Sequence, residues 1–388
     1  MTIKSRKAYF MTSRERLLTV LHGGIPDHVP VAPDTSNMIP AKLTGKPFWQ
    51  LYLYQDPPIW LAYIDCVKYF GFDSLMDGYV PIEFDDLMPH PADESRPVIV
   101  YRDADRIVTQ DLKQAGGRNF WANHVNVYYR ADPPTWGLDP ALLRLPKEPS
   151  SYEEVEGVCS WPSGGELLAL AKRELGDHGL VGVFCGTSKL LHSEADIYDY
   201  YDDPGRFVEQ RDKMLHFYEQ KFHRLMALTE RPDFVCVGGS GTLIHQTPAI
   251  FRQLGLPIVK KISALAKAAG IPSHVHSCGP EKLLVQIMAE ETDLTVIDPL
   301  EVPPMGDCDL AELKKAYGDR LVLKGNLHTT KVMLDGTPQD VIEASKRAID
   351  AAAAGGGFIL STGDQCGRDT PHENIFAMIE VAKTYGKY

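Results

Sequence analysis

The sequence predicts an α/β fold, a (β/α)8 TIM barrel with an N-terminal helical segment and an inserted β-hairpin region. Three observations carry this. From Leu180 onward, apolar runs of strand length alternate with amphipathic helical stretches, the pattern of a parallel sheet covered by helices. Two short strand-like segments nearer the start raise the number of such units to eight, which favours closure over an open sheet. No G-x-G-x-x-G follows a strand, so the signature of the alternative, an open doubly wound sheet, is missing.

The elements follow in order. Thr12 and Glu15 have the spacing of a capping box, and Leu17, Leu18, Val20 and Leu21 follow as an apolar stripe, so a helix begins near Thr12 and ends at Gly23, Gly24 and Pro26. His28–Pro33 and Ser74–Met76 read as short strands. The stretch between them, Phe48 to Phe70, is rich in aromatic residues and reads as a packed helical face, the alternative being the wall of a pocket for a planar substrate. Val98–Leu112 and Val125–Tyr129 alternate apolar and polar residues around an Asp103-Ala104-Asp105 turn, so an antiparallel insertion is expected over 97–150 within a single 1–388 domain. The remaining strands are Leu180–Cys185, Phe234–Val237, Ile271–His276, Leu294–Ile297, Leu321–Lys324 and Phe358–Leu360. Helices are expected over Glu281–Glu290, Leu310–Tyr317 and Val341–Ala353, with Asp309/Glu312 and Thr370/Glu373 at capping-box spacing and Pro338 and Pro371 in first turns. Gly238-Gly239-Ser240-Gly241 reads as a turn by which the chain leaves the barrel.

Composition narrows the function. Of the 388 residues 44% are hydrophobic, enough for a large core. A net charge of −12 with scattered Lys and Arg argues against nucleic acid as a partner. No apolar run reaches the length of a membrane helix, and the basic, polar Met1–Phe10 lacks a signal-peptide core, so a cytoplasmic protein with no membrane partner is expected. The seven cysteines are odd in number and widely spaced, which argues for reduced thiols over disulfides.

In a barrel the loops after the strands hold the chemistry. Those loops carry His276-Ser277-Cys278-Gly279, Asp298-Pro299-Leu300-Glu301, Gly325-Asn326-Leu327-His328 and Ser361-Thr362-Gly363-Asp364-Gln365-Cys366. Imidazole, thiols and a carboxylate thus arise separately at one rim, and these are the donor types Zn2+ accepts. His276 and Cys278, two apart, point the same way from an extended backbone. The metal set read from this is His276, Cys278, Glu301 and Cys366, with Glu301 yielding its place to substrate. Asp364, His328 and Asn326 are the candidate catalytic residues, with helix capping or a plain turn as their structural alternatives. His274 shares the face of His276 but reads as a satisfied barrel histidine, and Cys185, Cys236 and Cys308 read as packing residues.

The same residues resemble a known family. Met11-Thr12-Ser13-Arg14-Glu15-Arg16 with Asp27-His28-Val29-Pro30-Val31, and Gly356-Gly357-Phe358-Ile359-Leu360-Ser361 with Asp369-Thr370-Pro371-His372-Glu373-Asn374-Ile375, resemble the first and last barrel units of the uroporphyrinogen decarboxylase superfamily. The decarboxylases carry an arginine-rich segment after the first strand, where this chain has Ala32-Pro33-Asp34-Thr35-Ser36-Asn37, so porphyrin decarboxylation is disfavoured. The zinc methyltransferases of the superfamily bind metal through His-x-Cys and a distant Cys, which His276, Cys278 and Cys366 match, with Glu301 as the resting ligand. The stretch Gly363–Pro371 looks most like the branch that demethylates methoxylated aromatics.

That resemblance implies Zn2+ and a corrinoid (cobalamin) carried by a partner protein. It implies transfer of a methyl group from a small methoxylated aromatic substrate to the Co(I) corrinoid. Lewis-acid help is needed, since a phenol pKa of about 10 makes phenolate a poor leaving group. Two alternatives stand beside it: transfer from a methyl-corrinoid to a small thiol of the coenzyme M type, and a non-catalytic structural zinc or corrinoid-docking barrel. A homodimer is compatible with each.

Overall fold

The computed structural model describes residues 10–88, 95–191, 193–244 and 246–388, so the expectation for the first nine residues lies outside the described ones. Strands are numbered along the chain. β1 (Ser74–Met76) precedes five strands of a separate sheet, β2 (Ser95–Arg102), β3 (Arg106–Ala115), β4 (Arg118–Tyr129), β5 (Thr135–Leu138) and β6 (Glu153–Glu154). Then come β7 (Gly179–Gly186), β8 (Phe234–Val237), β9 (Ser273–His276), β10 (Val296–Asp298), β11 (Val322–Leu327) and β12 (Phe358–Thr362).

The main sheet runs β1-β7-β8-β9-β10-β11-β12, each strand parallel to the next. Sequential neighbours with no reversal of order are the winding of a barrel; a doubly wound sheet reverses at its switch point. Segment 28–33 closes the ring. Its Val31 bridges Leu360 in parallel. The Ala32 N–H donates to the Leu360 carbonyl at 2.9 Å and the Leu360 N–H to the Pro30 carbonyl at 2.9 Å, while on the other side the Asp73 N–H donates to the Val31 carbonyl at 2.8 Å. The sequence reading made 28–33 a strand, but it forms bridges and no ladder. Pro30 and Pro33 have no N–H to donate, which cuts the pairing to its middle.

Helices clothe the sheet. The N-terminal helix Ser13–Leu21 has a full capping box, Thr12 accepting from the Glu15 N–H while the Glu15 carboxylate accepts from the Thr12 N–H. It buries Leu17, Val20 and Leu21 beneath Leu75, Leu180 and Phe234 at the amino end of the barrel. The aromatic stretch becomes the helices Phe48–Tyr52 and Ile59–Phe70, the second ended by Gly71 in the left-handed conformation. Trp60, Tyr63 and Phe70 pack into the main core, so the packing reading holds for most of these rings. Leu310–Tyr317 forms with Asp309 accepting from the Glu312 N–H. Thr370 does not cap the last helix, His372–Thr384, whose N-cap is Pro371. The Thr370 hydroxyl is buried without a hydrogen-bond partner.

Strands β2 to β6 form an antiparallel sheet in the order β5-β4-β3-β2-β6. The Asp103 N–H donates to the Arg106 carbonyl, making the expected turn between β2 and β3. Val98, Val108, Leu112, Val125 and Val127 of this sheet are fully buried. Arg368, in the loop after β12, donates to the Ala131 carbonyl and to Asp132 at 2.7 Å, tying this sheet to the rim of the barrel. No helix among the described residues is long and apolar enough to cross a membrane.

Candidate metal centre and active site

At the carboxyl ends of β9, β10 and β12, three ligand-type side chains come together. Cys278, Glu301 and Asp364 place a sulfur and two carboxylate oxygens within 4.8 Å of one another. His276, the last residue of β9, stands beside them, with Nε2 3.7 Å from Oδ1 of Asp364. The backbone supports each position. The Gly279 N–H donates to Oε2 of Glu301, and the Asn326 amide donates to the Leu300 carbonyl at 2.8 Å. The buried Glu281 accepts from the Leu300 N–H at 2.7 Å. The loop that carries Glu301 is therefore pinned from both sides. Asp364 has φ of +124°, outside the regions ordinary side chains favour, a cost of about 1–3 kcal/mol that such sites tolerate when their surroundings fix the chain.

One imidazole, one thiol and two carboxylates form a donor set that suits a Zn2+ ion. With the thiol and both carboxylates ionised and the imidazole neutral, such a site carries a net charge of −1. Of the four expected ligands, Cys278 and Glu301 are in the group and His276 lies beside it, 3.7 Å from Asp364. Cys366 lies outside the group. Its thiol is fully buried against Thr362 and Thr370, and burial pushes it up to about 12, aided by the charge of Asp34. From the last strand it is the Asp364 carboxylate that reaches the group.

Behind this corner lies a buried charge network. The Asp298 carboxylate, at the end of β10, binds two imidazoles through Oδ1: His274 Nε2 at 2.8 Å and His276 Nδ1 at 3.2 Å. Its Oδ2 pairs with the buried Lys324 ammonium. Burial alone would raise the Asp298 carboxyl, but Lys324 and the two imidazoles hold it well below the usual range. Burial pulls both histidines down and Asp298 more than offsets it, to about 9 for His274 and about 10 for His276. An imidazole that binds metal must shed that proton, so Asp298 serves to aim the ring.

The network floors a cavity of about 280 Å³ walled by Tyr63, Tyr79 and Phe184, with Asp34, Asp77 and Ser240 at its edge. Burial pushes the Asp34 carboxyl up, against the charges of Lys324 and His276. A larger cleft of about 520 Å³ lies at the opposite, amino end around Gly23, Pro272 and Gly318. It holds none of these groups, and barrels do their chemistry at the carboxyl end.

The other sequence candidates have structural partners. The His328 Nδ1 caps the following turn by accepting from the N–H groups of Thr330 and Lys331 at 3.2 and 3.3 Å. Asn326 is buried and spent on Leu300. Residues the sequence reading missed are Asp34, Asp77, Ser240, Asp298 and Lys324. Ser240, in the glycine-rich loop after β8, lies 2.6 Å from the Cys278 sulfur. A single rule would have found Asp77, Asp298 and Lys324: a charged residue ending or just following an apolar barrel strand points into the mouth.

A closed parallel barrel with thiol, imidazole and carboxylates gathered at its carboxyl rim offers a candidate metal site where barrels carry their chemistry. Residues 234–385 match the uroporphyrinogen decarboxylase (URO-D) family. Over 137 residues, 35% of this chain, it is 31% identical to a methylcobamide:CoM methyltransferase of Methanosarcina mazei. Over 135 residues it is 30% identical to the corresponding protein of Methanosarcina acetivorans. The match spans 37% of the length of each relative. The fold is shared over nearly the whole chain with a solved methyltransferase from Methanosarcina mazei, with a TM-score of 0.57 and 14% identity over 97% of this chain and 99% of that one.

Proposed function

We propose that this chain is a zinc-dependent methyltransferase that exchanges a methyl group between a small substrate and the corrinoid of a partner protein. One observation carries the reading: Cys278, Glu301 and Asp364 converge at the carboxyl mouth of the barrel with His276 beside them, inside the segment 234–385 that matches the uroporphyrinogen decarboxylase (URO-D) family.

A Zn2+ ion held by these residues would act as a Lewis acid on the oxygen or sulfur that gains or gives the methyl group. The chain's own groups do the rest. Asp298 accepts from Nδ1 of His276 and so leaves Nε2 facing the ligand corner. Glu301 is held by the Gly279 N–H through one oxygen, which leaves the other to bind or release. Lys324, a buried cation in the cavity wall, stabilises negative charge on a leaving oxygen, and Asp34, whose carboxyl burial pushes above its ordinary value, is the acid at the cavity edge suited to hand a proton to it.

The substrate we favour is a methoxylated aromatic compound. Tyr63 and Tyr79, with ring centroids 4.0 Å apart, and Phe184 offer a planar ring its walls, and Lys324 suits a phenolate product. A thiol acceptor of the coenzyme M type is the second reading, favoured by the names of the relatives. The assay is cob(I)alamin with a panel of methoxyphenols, against methylcobalamin with coenzyme M. Methylcobalamin formed from a methoxyphenol, and abolished by Cys278→Ser, supports the first. Turnover with the thiol alone replaces it with the second, and turnover with neither rejects both.

A further inference from the structure

A second convergence of ligand atoms lies deeper in the barrel. Asp77 follows β1, Cys236 lies on β8 and His274 on β9, and their free atoms meet at one point. His274 Nδ1 is 2.9 Å from Oδ2 of Asp77, Cys236 Sγ is 3.2 Å from the same oxygen, and Sγ is 3.6 Å from Nδ1. All the atoms lie within 4.8 Å of one another. A tetrahedral zinc with bonds of about 2.0–2.3 Å sets its ligand atoms about 3.3–3.7 Å apart. Two of the three edges are within a few tenths of an ångström of that, and the Asp77–His274 edge needs to open by roughly 0.4 Å.

The independent observation is how His274 is aimed. Asp298 binds His274 through Nε2 and His276 through Nδ1, with the same oxygen. The two rings therefore turn their remaining nitrogens to different places. Nε2 of His276 faces Asp364, beside Cys278 and Glu301, and Nδ1 of His274 faces Asp77 and Cys236. One carboxylate, neutralised by Lys324, thus serves two imidazoles in the carboxylate–histidine arrangement that orients metal ligands. The free nitrogen of His274 meets a thiol and a carboxylate, and that of His276 meets a carboxylate. His274 and Cys236 are buried, whereas Asp77 is partly open and, with both of them, lines the cavity.

We propose that Asp77, Cys236 and His274 form a second site for a thiophilic divalent cation such as zinc, with a fourth position open to the cavity. Three protein ligands and one exchangeable place is the pattern of a catalytic rather than a structural site. Binding replaces the thiol proton of Cys236 and the proton on Nδ1 of His274, and both are released to solvent. A thiolate, a carboxylate and a neutral imidazole leave that site neutral, so it adds no net charge to the cavity. The inference rests on these three side chains and not on methyl transfer.

The test is the full chain, stripped with a chelator and titrated with Co2+, with bound metal counted and the thiolate-to-cobalt charge-transfer absorption followed. The wild type is expected to bind two equivalents. A Cys278→Ser/Asp364→Asn variant is expected to keep one, still with the thiolate band. Adding Cys236→Ala or, as the milder change at a partly exposed position, Asp77→Asn should weaken that remaining site at least tenfold, and Cys236→Ala should abolish the band. Circular dichroism establishes that each variant is folded. A folded Cys278→Ser/Asp364→Asn variant that binds no cobalt overturns the proposal, as does residual binding that ignores both Cys236→Ala and Asp77→Asn. A wild type with one equivalent, lost on Cys278→Ser and untouched by Cys236→Ala, overturns this site and leaves the proposed function standing. One equivalent lost only with Cys236 does the reverse.

Discussion

At the residue scale, the question is which side chain after the last strand completes the proposed metal corner. The Asp364 carboxylate lies within the group formed with Cys278 and Glu301, while the Cys366 thiol is buried against two threonines. Asp364→Asn is therefore expected to weaken metal binding at this corner by tenfold or more, and Cys366→Ser to leave it within a factor of about three, measured by competition with a chromophoric chelator. Asn326→Ala removes the amide that holds the Leu300 carbonyl, which leaves a buried acceptor unpaired. A loss of about 1–3 kcal/mol in denaturant unfolding is expected, together with a weaker metal site, because Glu301 follows Leu300 directly. The sequence offered His276, Cys278, Glu301 and Cys366 as ligands because donor types after barrel strands stand out in any reading. It did not show the choice between Asp364 and Cys366. One residue, Gln365, separates them, and only the turn's backbone, with Asp364 at positive φ, decides which side chain faces the mouth. Asp298 was visible in the same tetrapeptide as Glu301. Its role was not, because that role depends on two imidazoles reaching it from the neighbouring strand.

At the element scale, the N-terminal helix is fastened to the barrel by charge as well as by packing. Arg14 donates two hydrogen bonds to Asp233, at 2.8 and 2.7 Å, and Asp233 also accepts from the Val181 N–H and pairs with Lys172 at 3.1 Å. Burial raises the Asp233 carboxyl, but Arg14, the Val181 N–H and Lys172 outweigh it and hold it below the usual value. A carboxyl depressed in the folded state stabilises above its unfolded value of about 3.9, and that contribution is lost as pH falls through the folded value. Asp233→Asn should thus lower the urea midpoint at pH 7. The gap to wild type should narrow as pH falls from about 4 towards 2, and a gap that widens on acidification contradicts the assignment. Thr12→Ala removes one half of the capping box and should cost about 1 kcal/mol at any pH in that range. Elements with strong local signals, such as this helix and Leu310–Tyr317, form where the sequence reading put them. The weak ones shifted for local reasons. Segment 28–33 lacks the donors to be a full strand, and Thr370 turns inward instead of capping.

At the scale of the whole molecule, the winding of seven parallel strands closed by one bridging segment brings to a single rim residues that are far apart in the chain. A barrel built this way does not need the proposed metal to fold, since its cores are continuous apolar clusters. Chelation is therefore expected to leave the far-ultraviolet circular dichroism unchanged while lowering the melting temperature by an amount set by the binding free energy lost, which grows with the concentration of free metal. Loss of helical signal on chelation would instead mark a structural metal. The most direct measurement is metal per chain, by elemental analysis, of the wild type, Cys278→Ser and Cys366→Ser purified side by side. The account predicts that Cys278→Ser loses one equivalent relative to wild type and that Cys366→Ser retains the full amount. Wild-type metal content in Cys278→Ser would contradict it.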